Sequence, residues 1–424
     1  MTHTPAGTTP APHGLRRITA RDRTEAHRAA TPLELLYDLV FVTAFSQAGV
    51  ALAHQVETGN VAGGVLAFSV AMFAVVWARV GNTWFSSAFD TDDWLQRLST
   101  MVQEAGVVIV ALGIPPFFEC LHDEHVHNGP MVAGYIVMRL GLLAQWLRVY
   151  PSVPEHRHRA GVVILWTVVA QIGWTLTAVA PTTWPVFVGA GLVLVGFEFL
   201  GHLLPGGSQQ APWHPHHLAE RFGLIAIITL GESVVGTVAA LQTALPEEGG
   251  WTLQPVLVVA AGLGLTFGVW WSYFGVDFGR ALEARPAVAG IFTVLHLVIL
   301  GAIAVMGVGL HVAGAALAHP EETSPVLALL FVGVPLLVFY LGLYGPYTVF
   351  VPEADLRHGT LILLTLVLAA LGPALAWWGV PMGLVPAGGG GRHPAPRGGL
   401  LVVRPRPPGA AVLPAGAPHA LTAC

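Results

Sequence analysis

The chain has 424 residues, 54% of them hydrophobic and only 10% charged, with a net charge of -5 and a mean hydropathy of +0.66. A soluble domain carries about a quarter charged residues, so composition excludes a soluble globular fold and makes the lipid bilayer, not nucleic acid, the implied partner. Cys120 and Cys424 are the only cysteines, which excludes a disulfide framework or a cysteine metal cluster.

Residues 1–30 form a polar tail with Arg16, Arg17, Arg21, Arg23 and Arg28 and without the apolar stretch of a secretory signal. About eleven apolar runs of roughly 20 residues follow, each predicting a spanning helix. They lie at 33–54, 61–80, 97–117, 131–150, 160–180, 184–203, 218–241, 253–274, 287–312, 325–349 and 359–380, separated by Gly and Pro clusters and short polar turns. The predicted fold is an all-α polytopic membrane bundle. Residues 386–424 form a Pro/Gly-rich tail with Arg392, Arg397, Arg404 and Arg406 and no helical period. That tail reads either as disorder or as an off-frame remnant of a lost twelfth span.

Arginine sets the expected orientation, since every basic residue other than histidine is arginine. The tail, the even-numbered loops and their borders carry Arg79, Arg97, Arg148, Arg157, Arg159, Arg221, Arg280, Arg285 and Arg357. The opposite loops carry Glu57, Glu119, Asp123, Glu124, Glu247, Glu248, Glu321 and Glu322 and no arginine. The positive-inside rule then puts the N-terminus in the cytoplasm.

The second half echoes the first. "WFSSAFD" (84–90) follows Glu34 as "WSYFGVD" (271–277) follows Glu220, and Thr43 aligns with Thr229 and Ser46 with Glu232. Six spans separate the starts, so two parallel six-helix repeats are expected, at 31–204 and 205–385, the last helix of the second being the missing one.

Charged side chains inside spans are functional candidates because each costs a few kcal/mol unless paired or wet. At 1.5 Å per residue, Glu104 lies about 12 Å from the inner face, Arg139 about 12 Å from the outer face and Glu232 about 20 Å from the inner one. Arg139 can therefore pair with Glu104 or Glu232, with Ser233 beside the latter. Such a pair fixes helix packing or forms a midplane site for an ion or small polar solute. His296 reads as a satisfied core histidine or as part of that site. Glu34 and Asp38 share one face of the first span, and Thr31-Pro32 supplies an N-cap and a first-turn proline. Capping explains Glu34 and Glu220, but Asp38 lies about 8 Å in, where it does not. Asp90, Asp92 and Asp93 in "FDTDDWLQR" lack calcium-loop spacing and suit a solvated loop or partners for Arg79 and Arg97. Asp277 belongs to the second copy of the Trp-to-Asp stretch. Glu198 and His202, four apart, suit a packing hydrogen bond, a metal or a proton relay. No cofactor is implied, since no phosphate-binding loop, H-E-x-x-H helix or nucleophile elbow occurs.

"TPLELLYDLVFVTAFSQ" (31–47), "FDTDDWLQRL" (89–98), "HLAERFGLIAIITLGESVV" (217–235) and "WWSYFGVD" (270–277) together resemble the bacterial low temperature requirement protein A family, LtrA. The resemblance runs from about Pro32 to Trp378. It implies a multi-pass protein of the bacterial cytoplasmic membrane linked to growth in the cold, a stress-response setting and not a particular reaction. By position, Glu34, Asp38, Asp90, Asp92, Asp93, His217, Glu220, Arg221, Gly231, Glu232 and Ser233 match the family's motifs. Three functions follow as expectations. One is a transporter or channel with Glu34, Asp38, Glu220 and Arg221 lining a cytoplasmic vestibule and Arg139, Glu232 and Glu104 forming a midplane site. The others are a membrane enzyme or stress factor using the cytoplasmic acids with His217, and a structural membrane protein.

Overall fold

A computed structural model describes residues 15–21, 29–203, 211–245, 251–319 and 323–345, with scattered positions between 359 and 374. The chain divides into two units, and all of these residues lie in the first, Met1–Met382. The predicted off-frame tail falls outside the described residues.

Among the described residues every extended element is helical: α1 (Pro32–Glu57), α2 (Val61–Phe89), α3 (Trp94–Glu119), α4 (Gly129–Ser152), α5 (Arg157–Val179), α6 (Trp184–Leu203), α7 (Pro215–Ala244), α8 (Leu253–Phe274), the short α9 (Phe278–Ala284), α10 (Ala289–Ala318) and α11 (Pro325–Tyr344). Ten of them, all but α9, are long and apolar enough to cross a membrane. They correspond in order to the first ten predicted spans. Of the eleventh, 359–380, only a few positions are described, and these are helical.

The helices start where the sequence supplies a cap. Thr31 accepts from the Glu34 backbone while the Glu34 carboxylate accepts from Thr31 N at 2.8 Å, a complete capping box with Pro32 in the first turn. His214 caps α7 ahead of Pro215, Asp93 caps α3 by accepting from Gln96 N at 2.9 Å, and Asp277 caps α9. The largest departure from prediction is α2, which continues to Phe89 where the apolar run had ended at 80. Asn82, Thr83, Ser86 and Ser87 look like loop residues but are buried against protein, so the polarity reports an interior face and not solvent.

α1 is central. It packs against α2, α3, α7 and α10, while α7 packs against α10, α8, α9 and α1. Glycine lets some helices touch through their backbones: a Cβ on Gly106 of α3 would lie 2.6 Å from Met138 N of α4. On α10, a Cβ on Gly307 would lie 2.6 Å from the Glu232 carbonyl oxygen of α7. Large apolar side chains such as Leu112, Leu140, Leu176 and Trp271 remain exposed, as lipid-facing residues do.

Candidate functional site

The α1–α7 contact is in register and parallel. Residues 183 apart face one another, so Glu34 meets His217 and Asp38 meets Arg221. Each pair is four residues apart on its own helix, which stacks both on one face. Arg79 of α2 closes the group. Its Nε donates to Asp38 Oδ1 at 2.8 Å and its Nη2 to Oδ2 at 3.0 Å. Arg221 donates from Nη2 to Asp38 Oδ1 at 2.8 Å and from Nε to Oδ2 at 3.2 Å. Its Nη1 stands 2.9 Å from Glu34 Oε1, and His217 Nε2 stands 3.1 Å from the same oxygen. Arg79 Nη2 also donates a short hydrogen bond to the Arg221 carbonyl oxygen.

Asp38 thus holds two guanidiniums, each by two hydrogen bonds, the strongest geometry available to a carboxylate. Two acids and two arginines cancel, and Asp38, Arg79, Arg221 and His217 are fully buried. The expected vestibule is therefore corrected. Glu34, Asp38 and Arg221 form a closed, neutral network because α2 brings Arg79 into it. His217 is committed to Glu34 and has no solvent face for chemistry. Glu220 alone of the four borders an open space, a cavity of about 510 Å³ that His216 and Asp277 also line, and it accepts from Ala30 N at 3.2 Å.

A second network lies on α2, α4, α5 and α6. Arg139 Nη2 donates to Glu198 Oε2 at 3.0 Å, and the Tyr135 hydroxyl donates to Glu198 Oε1 at 2.8 Å. Trp77 and Gln171 add donors to the same carboxylate at 3.2 and 3.4 Å, and Arg139 donates to the Tyr135 oxygen. The partner of Arg139 is Glu198, not Glu104 or Glu232. Glu198 is one of the most buried acids among the described residues. Glu104 is half-buried with an unpartnered Oε1. His296 is a satisfied core histidine: Nδ1 lies 2.7 Å from the Phe292 carbonyl, to which it donates, and Nε2 lies 2.9 Å from the Tyr273 hydroxyl.

Glu232 stands apart. It is 8% exposed, and among the described residues it has neither a hydrogen bond nor an ion pair. Its Oε2 lies 3.4 Å from where a Cβ on Gly49 of α1 would be, in the seam of α1, α7 and α10. Neighbouring Ser233 is fully buried with an unpartnered hydroxyl oxygen.

The acidic loop between α2 and α3 is a clamp whose three carboxylates each face an arginine. Asp92 pairs with Arg97 at 3.0 Å, Asp93 with Arg148 at 2.6 Å and Asp90 with Arg21 at 3.7 Å. Asp92 takes a left-handed φ of 46° to make the turn, which costs a non-glycine residue some strain. Burial raises the Asp93 carboxyl, but the hydrogen bonds from Arg148 and from the Gln96 and Arg16 amides outweigh it and hold it below the usual range. No three metal-ligating side chains come together among the described residues.

Ten membrane-length helices with charges tucked between them define a multi-pass membrane protein. The family model described as "Bacterial low temperature requirement A protein (LtrA)" matches residues 29–388, and the chain belongs to that family. It is also similar to an uncharacterized protein of Rhizobium meliloti (strain 1021), RA0937, with 26% identity over 359 residues, covering 77% of this chain and 78% of the relative. No solved structure matches.

Proposed function

We propose that the protein is a transporter or channel for an ion or small polar solute in the bacterial cytoplasmic membrane, with its basic end and N-terminus inside. The observation that carries this reading is Glu232. Both buried networks balance their own charge, whereas Glu232 is a buried carboxylate with nothing to balance it. A membrane protein keeps an uncompensated acid inside its bundle at a cost of a few kcal/mol, which selection for packing alone does not repay. Two parallel halves fit this reading. α1 and α7 both start with a capping residue followed by proline. α3 packs on α1 and α4 as α10 packs on α7 and α11. The link to low-temperature growth follows from family membership alone.

The test is flux. Sealed vesicles holding the purified protein are expected to pass protons or alkali cations faster than vesicles holding a Glu232→Gln variant. Equal flux from the two proteins, both folded, would falsify the reading.

A further inference from the structure

We propose that Glu232 binds a proton delivered through His311 and Glu57 from the end of the bundle where α1 finishes. This deepens the transporter reading and rests on it, by naming the ion and its route.

The argument starts from Glu232 itself. An unpaired carboxylate in a low-dielectric interior is kept neutral by a proton or balanced by a bound cation. A cation is the poorer fit. Hard cations take about six oxygens, whereas Glu232 and Ser233 supply few, and no metal-ligating trio occurs among the described residues.

The route follows from helix periodicity. Gly49, Ala53 and Glu57 are spaced by four and share one face of α1, the face against which the Glu232 carboxylate rests. On α10, Gly307 and His311 are likewise four apart, and Gly307 touches the Glu232 backbone. The two faces thus bracket Glu232 and then converge on one titratable pair. His311 Nε2 lies 3.9 Å from Glu57 Oε1, with side chains 39% and 32% exposed, so the pair sits at the boundary of the bundle. His311 is about 6 Å along α10 from the level of Gly307. From Glu57 to Gly49 is about 12 Å along α1; on the way the α1 face offers Ala53 and Gly49, which fill little space, and α10 sets the buried Val308 against Gly49, so the passage opens when that side chain moves. In the step, His311 takes a proton from water as an imidazolium, its N–H bond breaks as an O–H bond forms on Glu57, that O–H bond breaks as the proton passes to water between α1 and α10, and the water gives it up as an O–H bond forms on the Glu232 carboxylate, leaving imidazole and Glu57 as they began.

The opposite direction is blocked. Toward the start of α7, the acids of α1 and Arg79 of α2 are locked in the closed network, and His296 of α10 is bonded to Tyr273 of α8 and the Phe292 carbonyl. Arg280 and Glu283 of α9 pair with Asp277 and His216, and α11 carries no charged residue. His54, on another face of α1, is exposed.

Two readouts test this. Dicyclohexylcarbodiimide, an apolar reagent that requires a protonated carboxyl, is applied to the reconstituted protein and the modified residue is located by mass spectrometry. Glu232 is expected to carry the label, to lose it as pH rises, and to be silent in Glu232→Gln. Proton flux is then expected to fall on the order of 100-fold in His311→Ala, with Glu232 still labelled, and to recover when imidazole is added to the buffer. An unlabelled Glu232 at every pH, with the half-buried Glu104 labelled, overturns the proposal. Unchanged flux in His311→Ala, or lost flux that imidazole fails to restore, overturns the route. An unlabelled Glu232 alongside flux that Glu232→Gln abolishes rejects the proton but leaves the transporter reading. Labelling without any wild-type flux rejects the transporter reading and the relay with it.

Discussion

Two stretches of one helix seam treat charge in opposite ways. Where α1 and α7 begin, four full charges and a histidine are drawn together and cancel. Eleven residues beyond Arg221, about 16 Å along α7, the same seam holds Glu232 and cancels nothing. The first stretch has the geometry of a clasp: both guanidiniums bind one carboxylate by paired hydrogen bonds, and removing any member strands the others. The second has no such dependence. A buried charge therefore speaks for structure when its neighbourhood sums to zero, and for function when it does not.

The sharpest way to break this comparison is Arg221→Ala. It leaves Asp38 with Arg79 alone and removes a guanidinium that faces Glu34, and a loss of about 3–5 kcal/mol is expected, read as a large fall in Tm in detergent. Replacing Asp38, Arg79 and Arg221 together by apolar residues of similar size, with Glu34→Gln beside them to keep the capping box, is expected to recover much of that loss, because no charge is then left stranded. Glu198→Gln is expected to cost somewhat less, about 3 kcal/mol, since the polar groups around Arg139 remain although its counter-charge is gone. Unaltered Tm in both single variants would mean that the networks do not hold the bundle.

Smaller effects sharpen the picture at its edges. Gly307→Val puts a side chain where α10 meets the Glu232 carbonyl, and overpacking is expected to cost about 1–3 kcal/mol. Asp93 offers a test in pH. Its carboxyl is held low, so its contribution is present above the unfolded pKa of about 3.9 and is lost as pH falls through the lower folded value. The Tm gap between wild type and Asp93→Asn is expected to be full at pH 7 and to close below about pH 4. A gap that stays constant with pH would remove Arg148 and the backbone amides as the cause.

Much of the fold was legible because apolar runs of membrane length leave little choice of structure. The ten described spans occur in the predicted order. The capping box at Thr31 and Glu34 was readable from four residues, and Asp38 could be set apart because it lies too deep to cap a helix. The partners were harder. Arg79 looked like the edge of a loop because the polar residues after it ended the apolar run, although they face protein. Burial of a polar face and exposure to solvent leave the same trace in hydropathy. The true neighbour of Arg139 was obscured for another reason. Depth along a helix is one coordinate, and Glu104, Glu198 and Glu232 all fall within reach on that coordinate alone. Which of them meets Arg139 depends on α4 packing beside α5 and α6, information that no local stretch carries. The spacing that pairs Glu34 with His217 and Asp38 with Arg221 was present in "LELLYD" and "HLAER", and complementary charges at matching four-residue intervals were the signal that could have found it.

The most direct test of the central claim sets stability and flux side by side in Glu232→Gln. If the clasp holds the bundle and Glu232 serves transport, the variant unfolds no more readily than the wild type, its amide having removed an acid that costs the fold a few kcal/mol, and loses proton flux. A variant that unfolds as readily as Arg221→Ala, or that keeps both its Tm and its flux, would contradict the account.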